Sequence, residues 1–176
     1  MDINQHFGIY GVCFRQNKLL CIEKNAGPYR GRFDLPGGSQ ETGEGLTETL
    51  VREVLEETGY TVLSYSNPRV YDAFVREEEM DFMVHHIMVF YDFEIDFNTN
   101  QKVLPSMVED GANDSDAERW IELDEMTLEN ASPLVLKIKA EFLGKEPLDK
   151  VIYSNWKVNE CIPADKSHKE NKPAIF

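Results

Sequence analysis

Between Gly45 and Thr58 the apolar residues recur at helical spacing. Leu46, Leu50 and Val54 form one face, with Val51 and Leu55 on its flank, which predicts a helix over 45–58. Gly59 stands just past its end, where a left-handed conformation costs glycine little. Upstream, Leu35-Pro36-Gly37-Gly38 neither continues a strand nor begins a helix, and is read as a turn. Phe7 to Phe14 and Lys18 to Glu23 predict a strand hairpin around Gln16-Asn17. Thr61 to Tyr65, Arg69 to Arg76 and Met80 to Ile95 are rich in aromatic and β-branched residues and predict strands, the last two joined by a charged turn, Glu77-Glu78-Glu79. Ala117 to Leu123 predicts another, with Trp120 anchored in the core. Ser132-Pro133 has the cap and first-turn proline of a second helix. Leu134, Val135, Ile138, Phe142 and Leu143 are its expected apolar face, and Gly144 its stop. Two such helices cover the two faces of one sheet, so the fold class is α/β.

The first helix carries the chemistry. Glu53, Glu56 and Glu57 are three and four positions apart, so their carboxylates crowd one side. They sit in the last turn, where the helix dipole already disfavours anions. A bound divalent cation reverses the sign of that cost. All the donors are hard oxygens, with no His or Cys at zinc spacing nearby, which favours Mg²⁺, with Mn²⁺ as the alternative, over Zn²⁺. Arg52 is four residues from both Glu48 and Glu56, within reach of a carboxylate. The competing reading is a solvated, Glu-rich surface helix.

Gly38, Glu44, Arg52, Glu53, Glu56, Glu57 and Gly59 stand in one register within GSQETGEGLTETLVREVLEETGY. Seven matches of this kind arise by chance about once in 10⁸ to 10⁹ windows. The segment resembles the box of the Nudix (MutT-like) hydrolase family, whose members cut a diphosphate linked to another moiety. Tyr60, where an aliphatic residue is usual, is a departure expected to affect packing only. The resemblance implies an α/β/α sandwich with a mixed β-sheet between helices. It implies that Glu53, Glu56 and Glu57 are the metal ligands, that Arg52 orients one of them, and that Glu44 assists. It places the backbone of Gly37 and Gly38 at metal or substrate. Glu53 is the first choice for a catalytic base as well as a ligand, because its neighbour Arg52 is able to position it. The function implied is Mg²⁺-dependent hydrolysis of a diphosphate linkage in a nucleoside diphosphate derivative. The alternative is a catalytically silent nucleotide-binding sensor, although such domains usually lose box glutamates.

Composition narrows the partners. The chain has 176 residues and a net charge of −14, without the basic stripe that duplex nucleic acid requires. A small nucleotide-like diphosphate arriving with its cation suits it better; a homodimer is compatible with the chain. There is no apolar run of secretory type and no segment long enough to span a bilayer, which predicts a cytoplasmic protein with no membrane partner. Cys13, Cys21 and Cys161 are an odd set, read as reduced. Residues 1–158 are expected to form a single domain and 159–176 a polar tail, either mobile or docked through Ile175-Phe176.

Outside the box the signals are weaker. Arg30 and Arg32 flank Gly31 before the box; either a phosphate-binding role or a solvated loop fits them. Phe33 is read as core in preference to a stacking platform, and His85-His86 as strand histidines. The acidic run 109–118 fails the calcium-loop pattern, but family members often take a further ligand or base from this region, which makes Glu109, Asp114, Asp116 and Glu118 candidates. The marks of several subfamilies are missing: Val75-Arg76 stand where ADP-ribose enzymes often have proline, and Glu77-Glu78 where dinucleoside polyphosphate enzymes often have tyrosine. These absences leave the substrate open among nucleoside triphosphates, nucleotide sugars and related nucleoside diphosphate derivatives.

Overall fold

In the computed structural model the described residues are 2–78, 80–96, 115–145 and 150–160, with backbone alone at 115–117. In chain order the elements are β1 (Asp2–Val12), β2 (Phe14–Arg15), β3 (Lys18–Lys24), β4 (Phe33–Asp34), β5 (Gly37–Gly38), α1 (Leu46–Thr58), β6 (Val62–Glu77), β7 (Phe82–Ile95), β8 (Ser115–Glu122), α2 (Pro133–Phe142) and β9 (Ile152–Trp156). One sheet has the order β5-β1-β7-β6-β9. In it β1 runs parallel to β7 and β6 parallel to β9, while the other pairs are antiparallel. A second sheet centres on β3, which pairs with β2, β4 and β8.

Strands buried on both faces send alternate side chains to opposite layers. On β7, Met88 and Phe90 join Leu134, Val135 and Ile138 of α2. Val89, Phe93 and Ile95 join Leu50 and Val54 of α1. On β3, Leu19 and Cys21 face the α2 side and Leu20 the α1 side. The result is an α/β/α sandwich around mixed sheets. α1 packs closely because Gly11 lies beneath it: a Cβ there would come within 2.5 Å of the Phe93 ring and 3.2 Å of Leu50.

Several boundaries differ from the sequence reading. Phe7 to Phe14 is not one arm of a hairpin. Gln16 and Asn17 do turn, both at positive φ, but only Phe14 and Arg15 pair with β3. The rest of that run belongs to β1, which begins in the polar stretch from Asp2 and pairs with distant β7. The two strands expected before Glu77 are one, because Ser66 to Arg69 is absorbed as a bulge with Asn67 at φ 52. Trp120 is half-buried beside the α1-side core, as is Tyr60. On α2, Phe142 and Leu143 are 41% and 52% exposed; Phe142 instead stacks on Phe14, ring centroids 4.3 Å apart. Ser132 caps α2 as expected, its hydroxyl accepting from the Val135 N–H. Among the described residues no helix is long and apolar enough to cross a membrane.

This packing sets an order of stabilities. Leu50→Ala is expected to lower the unfolding free energy by roughly 2–5 kcal/mol, and Phe142→Ala by no more than about 1.5 kcal/mol. Urea unfolding followed by circular dichroism measures both, and the reverse order would place the core wrongly.

Candidate active site

Burial of Leu50 and Val54 fixes the roll of α1, and two backbone devices fix its ends. At the start the Gly45 N–H donates to Glu48 Oε2 at 2.7 Å. At the finish Gly59, at φ 72, donates to Leu55 O at 2.9 Å. Glu57 follows Val54 by one turn and so sits at the edge of the buried face, its side chain only 7% exposed. The Gly37 N–H donates to its Oε2 at 2.8 Å, and Lys24 Nζ lies 3.6 Å from its Oε1. Burial pushes the Glu57 carboxyl up to about 8, against the pull of Lys24 and Gly37. Gly37 approaches Glu57 this closely because it pairs with Tyr10 at φ 145, where any side chain would run into β1 backbone. A Cβ on Gly38 would lie 2.6 Å from Glu53 Oε1, so that carboxylate rests directly against the loop backbone.

Arg52 binds the cluster together, with all five N–H groups engaged. Its Nε and Nη2 grip Glu44 at 2.7 and 3.0 Å, and Nη2 also donates to Ser39 O at 3.0 Å. Nη1 donates to Glu53 Oε1 at 2.9 Å and Glu56 Oε2 at 3.1 Å. Glu44 further accepts from the Glu41 N–H and the Thr49 hydroxyl. The Arg52 bonds hold its carboxyl at about 2, ionised throughout the physiological range. Burial raises Glu53 even though Arg52 opposes the shift.

The donor set suits a hard divalent cation: two carboxyls raised by burial, and a third, Glu56, on the same helix end. Among the described residues, however, no three carboxylate, His or Cys side chains are gathered at ligating separation. Arg52, which the sequence placed within reach of a carboxylate, and Lys24 balance part of the charge of the cluster. Glu53 and Glu56 each give Arg52 one oxygen, so gathering them on a cation requires a modest turn of each side chain. The chemistry of the set fits Mg²⁺ or Mn²⁺.

These residues line one end of a cavity of about 550 Å³, along with Gly37, Gly38 and Arg52. Its other end is aromatic. His86 lies buried between two phenols, with Tyr10 Oη 2.9 Å from its Nε2 and Tyr29 Oη 3.0 Å from its Nδ1. Burial holds the imidazole neutral, with its pKa down to about 3, so one phenol accepts from the ring N–H and the other donates to the bare nitrogen. Asp34, fully buried at the cavity wall, accepts from the Ser132 hydroxyl at 2.6 Å and the Leu35 N–H at 2.9 Å. Tyr10, Lys24, Tyr29 and Asp34 were missed from sequence, because their partners are distant in the chain: His86 for the two tyrosines, Glu57 for Lys24 and Ser132 for Asp34.

Other expected site residues lie elsewhere. Neither Arg30 nor Arg32 lines this cavity. Arg32 is 4% exposed, donates to Leu128 O at 2.5 Å and Lys157 O at 2.9 Å, and stacks 4.1 Å over the Trp156 ring. Arg30 Nε donates to Asn159 O. Gly31, at φ 70, stands between them, and these bonds fasten the loop to the segment around β9. Phe33 packs against the core. Glu118 lies opposite Ile22 in β8, outside the cavity lining. Glu109, Asp114, the Asp116 side chain, Cys161 and the 161–176 segment fall outside the described residues.

Comparison with known proteins agrees with this architecture. An ADP-ribose pyrophosphatase of Methanocaldococcus jannaschii is 47% identical over 49 residues, which is 28% of this chain and 29% of that protein. An uncharacterized Nudix hydrolase, YvcI, of Bacillus subtilis is 32% identical over 90 residues, 51% of this chain and 53% of that protein. The matches thus span under a third and about half the length of these curated relatives. A NUDIX hydrolase structure from Nitrosomonas europaea shares the fold at 19% identity, covering 81% of this chain and 92% of that one with a TM-score of 0.54. The sequence profile of the NUDIX domain matches residues 4–142, running from the first strand through the carboxylate helix to the end of α2, and the chain belongs to that family.

Proposed function

We propose that the protein hydrolyses a diphosphate linkage in a nucleoside diphosphate derivative, using Mg²⁺ or Mn²⁺ held by Glu53, Glu56 and Glu57. The observation that carries this reading is the seating of two helix-borne carboxylates, Glu57 and Glu53, against the Gly37–Gly38 backbone, with Glu56 lining the same cavity, which is large enough for a nucleotide. Family membership supports it. So does the name of the Methanocaldococcus relative, since ADP-ribose belongs to the same chemical class as nucleotide sugars.

Bound there, a divalent ion supplies charge neutralisation for the diphosphate and a lowered pKa for water. The chain's residues supply position. Glu44 fixes Arg52 through two bonds, and Arg52 sets the carboxylate of Glu53 against Gly38. Glu53 is thereby placed to accept a proton from the attacking water. As the new P–O bond forms, the bridging P–O bond breaks, and its electron pair leaves with the second phosphoryl group. Lys24, beside Glu57 at the cavity wall, adds positive charge where substrate anions arrive.

A panel of nucleoside triphosphates, ADP-ribose and nucleotide sugars, assayed with Mg²⁺ and with Mn²⁺, tests the reading. Turnover should vanish with EDTA and return with either metal. Glu56→Gln and Glu57→Gln should each lower kcat/KM about 10²–10⁴-fold while the melting temperature is kept; full turnover in either variant would refute the ligand assignment. Arg52→Lys loses the fork that orients two carboxylates, and should raise the metal concentration for half-maximal rate roughly 10–100-fold. Tight nucleotide binding without turnover of any compound would replace hydrolysis by sensing.

A further inference from the structure

Beyond the carboxylate end, the cavity wall is one face of β1 laid beside β7. Their parallel register sets Asn4 beside Val84 and His6 beside His86. Side chains alternate along a strand, so Asn4, His6, Gly8 and Tyr10 share this face. Gly8 keeps the stripe open, because a Cβ there would lie 2.7 Å from ring carbons of Tyr10. Tyr10 can therefore lean back over Gly8 to reach His86. With both ring nitrogens engaged by Tyr10 and Tyr29, His86 has no hydrogen bond left for a ligand. Its role is to hold the two phenols.

His6 differs. It stands exposed at the cavity mouth, edge-on to His86 with ring centroids 4.7 Å apart. Among the described residues neither its ring nitrogens nor the Asn4 carboxamide carries a hydrogen bond. Packing of the ring, together with the Lys24 ammonium, keeps His6 below the ordinary histidine pKa. A neutral imidazole offers one donor and one acceptor, and a carboxamide offers both. Val84, Phe82 and Tyr29 add flat or apolar surface to the same cavity lining. If the carboxylate end grips a diphosphate, the organic part of the substrate must occupy this remaining space.

We propose that His6 and Asn4 are the specificity-determining edge of the cavity, seating a planar nucleobase against the β1–β7 wall and selecting it by hydrogen bonds to its rim. This rests on the function proposed above and adds the part of the substrate that is read. A buried shape alone discriminates related rings weakly, whereas donors and acceptors that a bound base covers favour the ring whose rim matches them. Selectivity among bases therefore resides in two exposed side chains of β1, not in the buried histidine.

The test uses the full chain and the variants His6→Phe, which keeps a flat ring, and Asn4→Ala. Steady-state kinetics are measured on the four common ribonucleoside triphosphates and on ribose 5-triphosphate, which has no base. The expected result is a rise in KM of about tenfold for the preferred nucleotide, with preference among bases flattened. The ratio of efficiencies, nucleotide over ribose 5-triphosphate, should fall by the same factor. An equal loss on both substrates means a structural role and overturns the proposal, as does an unchanged preference. If the wild type cuts none of these compounds, equilibrium binding of the same nucleotides decides. Selective binding that His6→Phe weakens tenfold supports the base edge while hydrolysis fails; binding that the variants leave unaltered, or no binding at all, overturns it.

Discussion

The engagement of all five Arg52 N–H groups by Glu44, Glu53, Glu56 and Ser39 is the constraint around which the site is arranged. Without that guanidinium, the last turns of α1 would bring three carboxylates together at the unfavourable end of a helix dipole. With it, Glu53 is drawn against Gly38, Glu56 is held beside it, and Glu44 is kept ionised as the anchor. Lys24, 3.6 Å from Glu57, adds positive charge beside that carboxyl without offsetting its burial. The arrangement is charge-balanced enough to fold, yet two carboxyls remain raised by burial, an environment that a divalent cation improves.

That balance depends in turn on packing. Leu50 and Val54 clamp α1 to Val89 and Phe93 across the sheet, and Gly11 permits the approach. Gly37 and Gly38 give β5 the bare backbone that Glu57 and Glu53 touch. On the far side of the sheet α2 caps the second core, and its Ser132 reaches back to Asp34 at the cavity wall. One strand, β1, serves both halves of the cavity: its C-terminal part pairs with the loop glycines, and its N-terminal part forms the wall beside His6.

Local signals were legible in the sequence because they depend on neighbours. The 45–58 helix, its Gly59 stop, the Ser132-Pro133 start and the Gln16-Asn17 turn all follow from spacing within a few residues. The clustering of Glu53, Glu56 and Glu57 is legible for the same reason. Pairings between distant segments were not. The polar start of β1 has no apolar alternation to announce a strand, and is one because β7 lies parallel to it for eleven residue pairs, Asp2 to Val12. Arg32 looked like a loop cation, but Trp156, more than a hundred positions on, turned it into a structural tie. His86 and its two tyrosines meet only through tertiary packing.

The central claim is that the α1 carboxylates hold a divalent cation against a diphosphate. Its most direct test is a crystal structure with Mn²⁺ and a non-hydrolysable nucleoside diphosphate derivative, read by anomalous scattering. The account predicts an anomalous peak at about 2.0–2.3 Å from oxygens of Glu53, Glu56 or Glu57 and from the diphosphate, with Glu56 turned from Arg52. A peak elsewhere, or a diphosphate bound away from these glutamates, would contradict it.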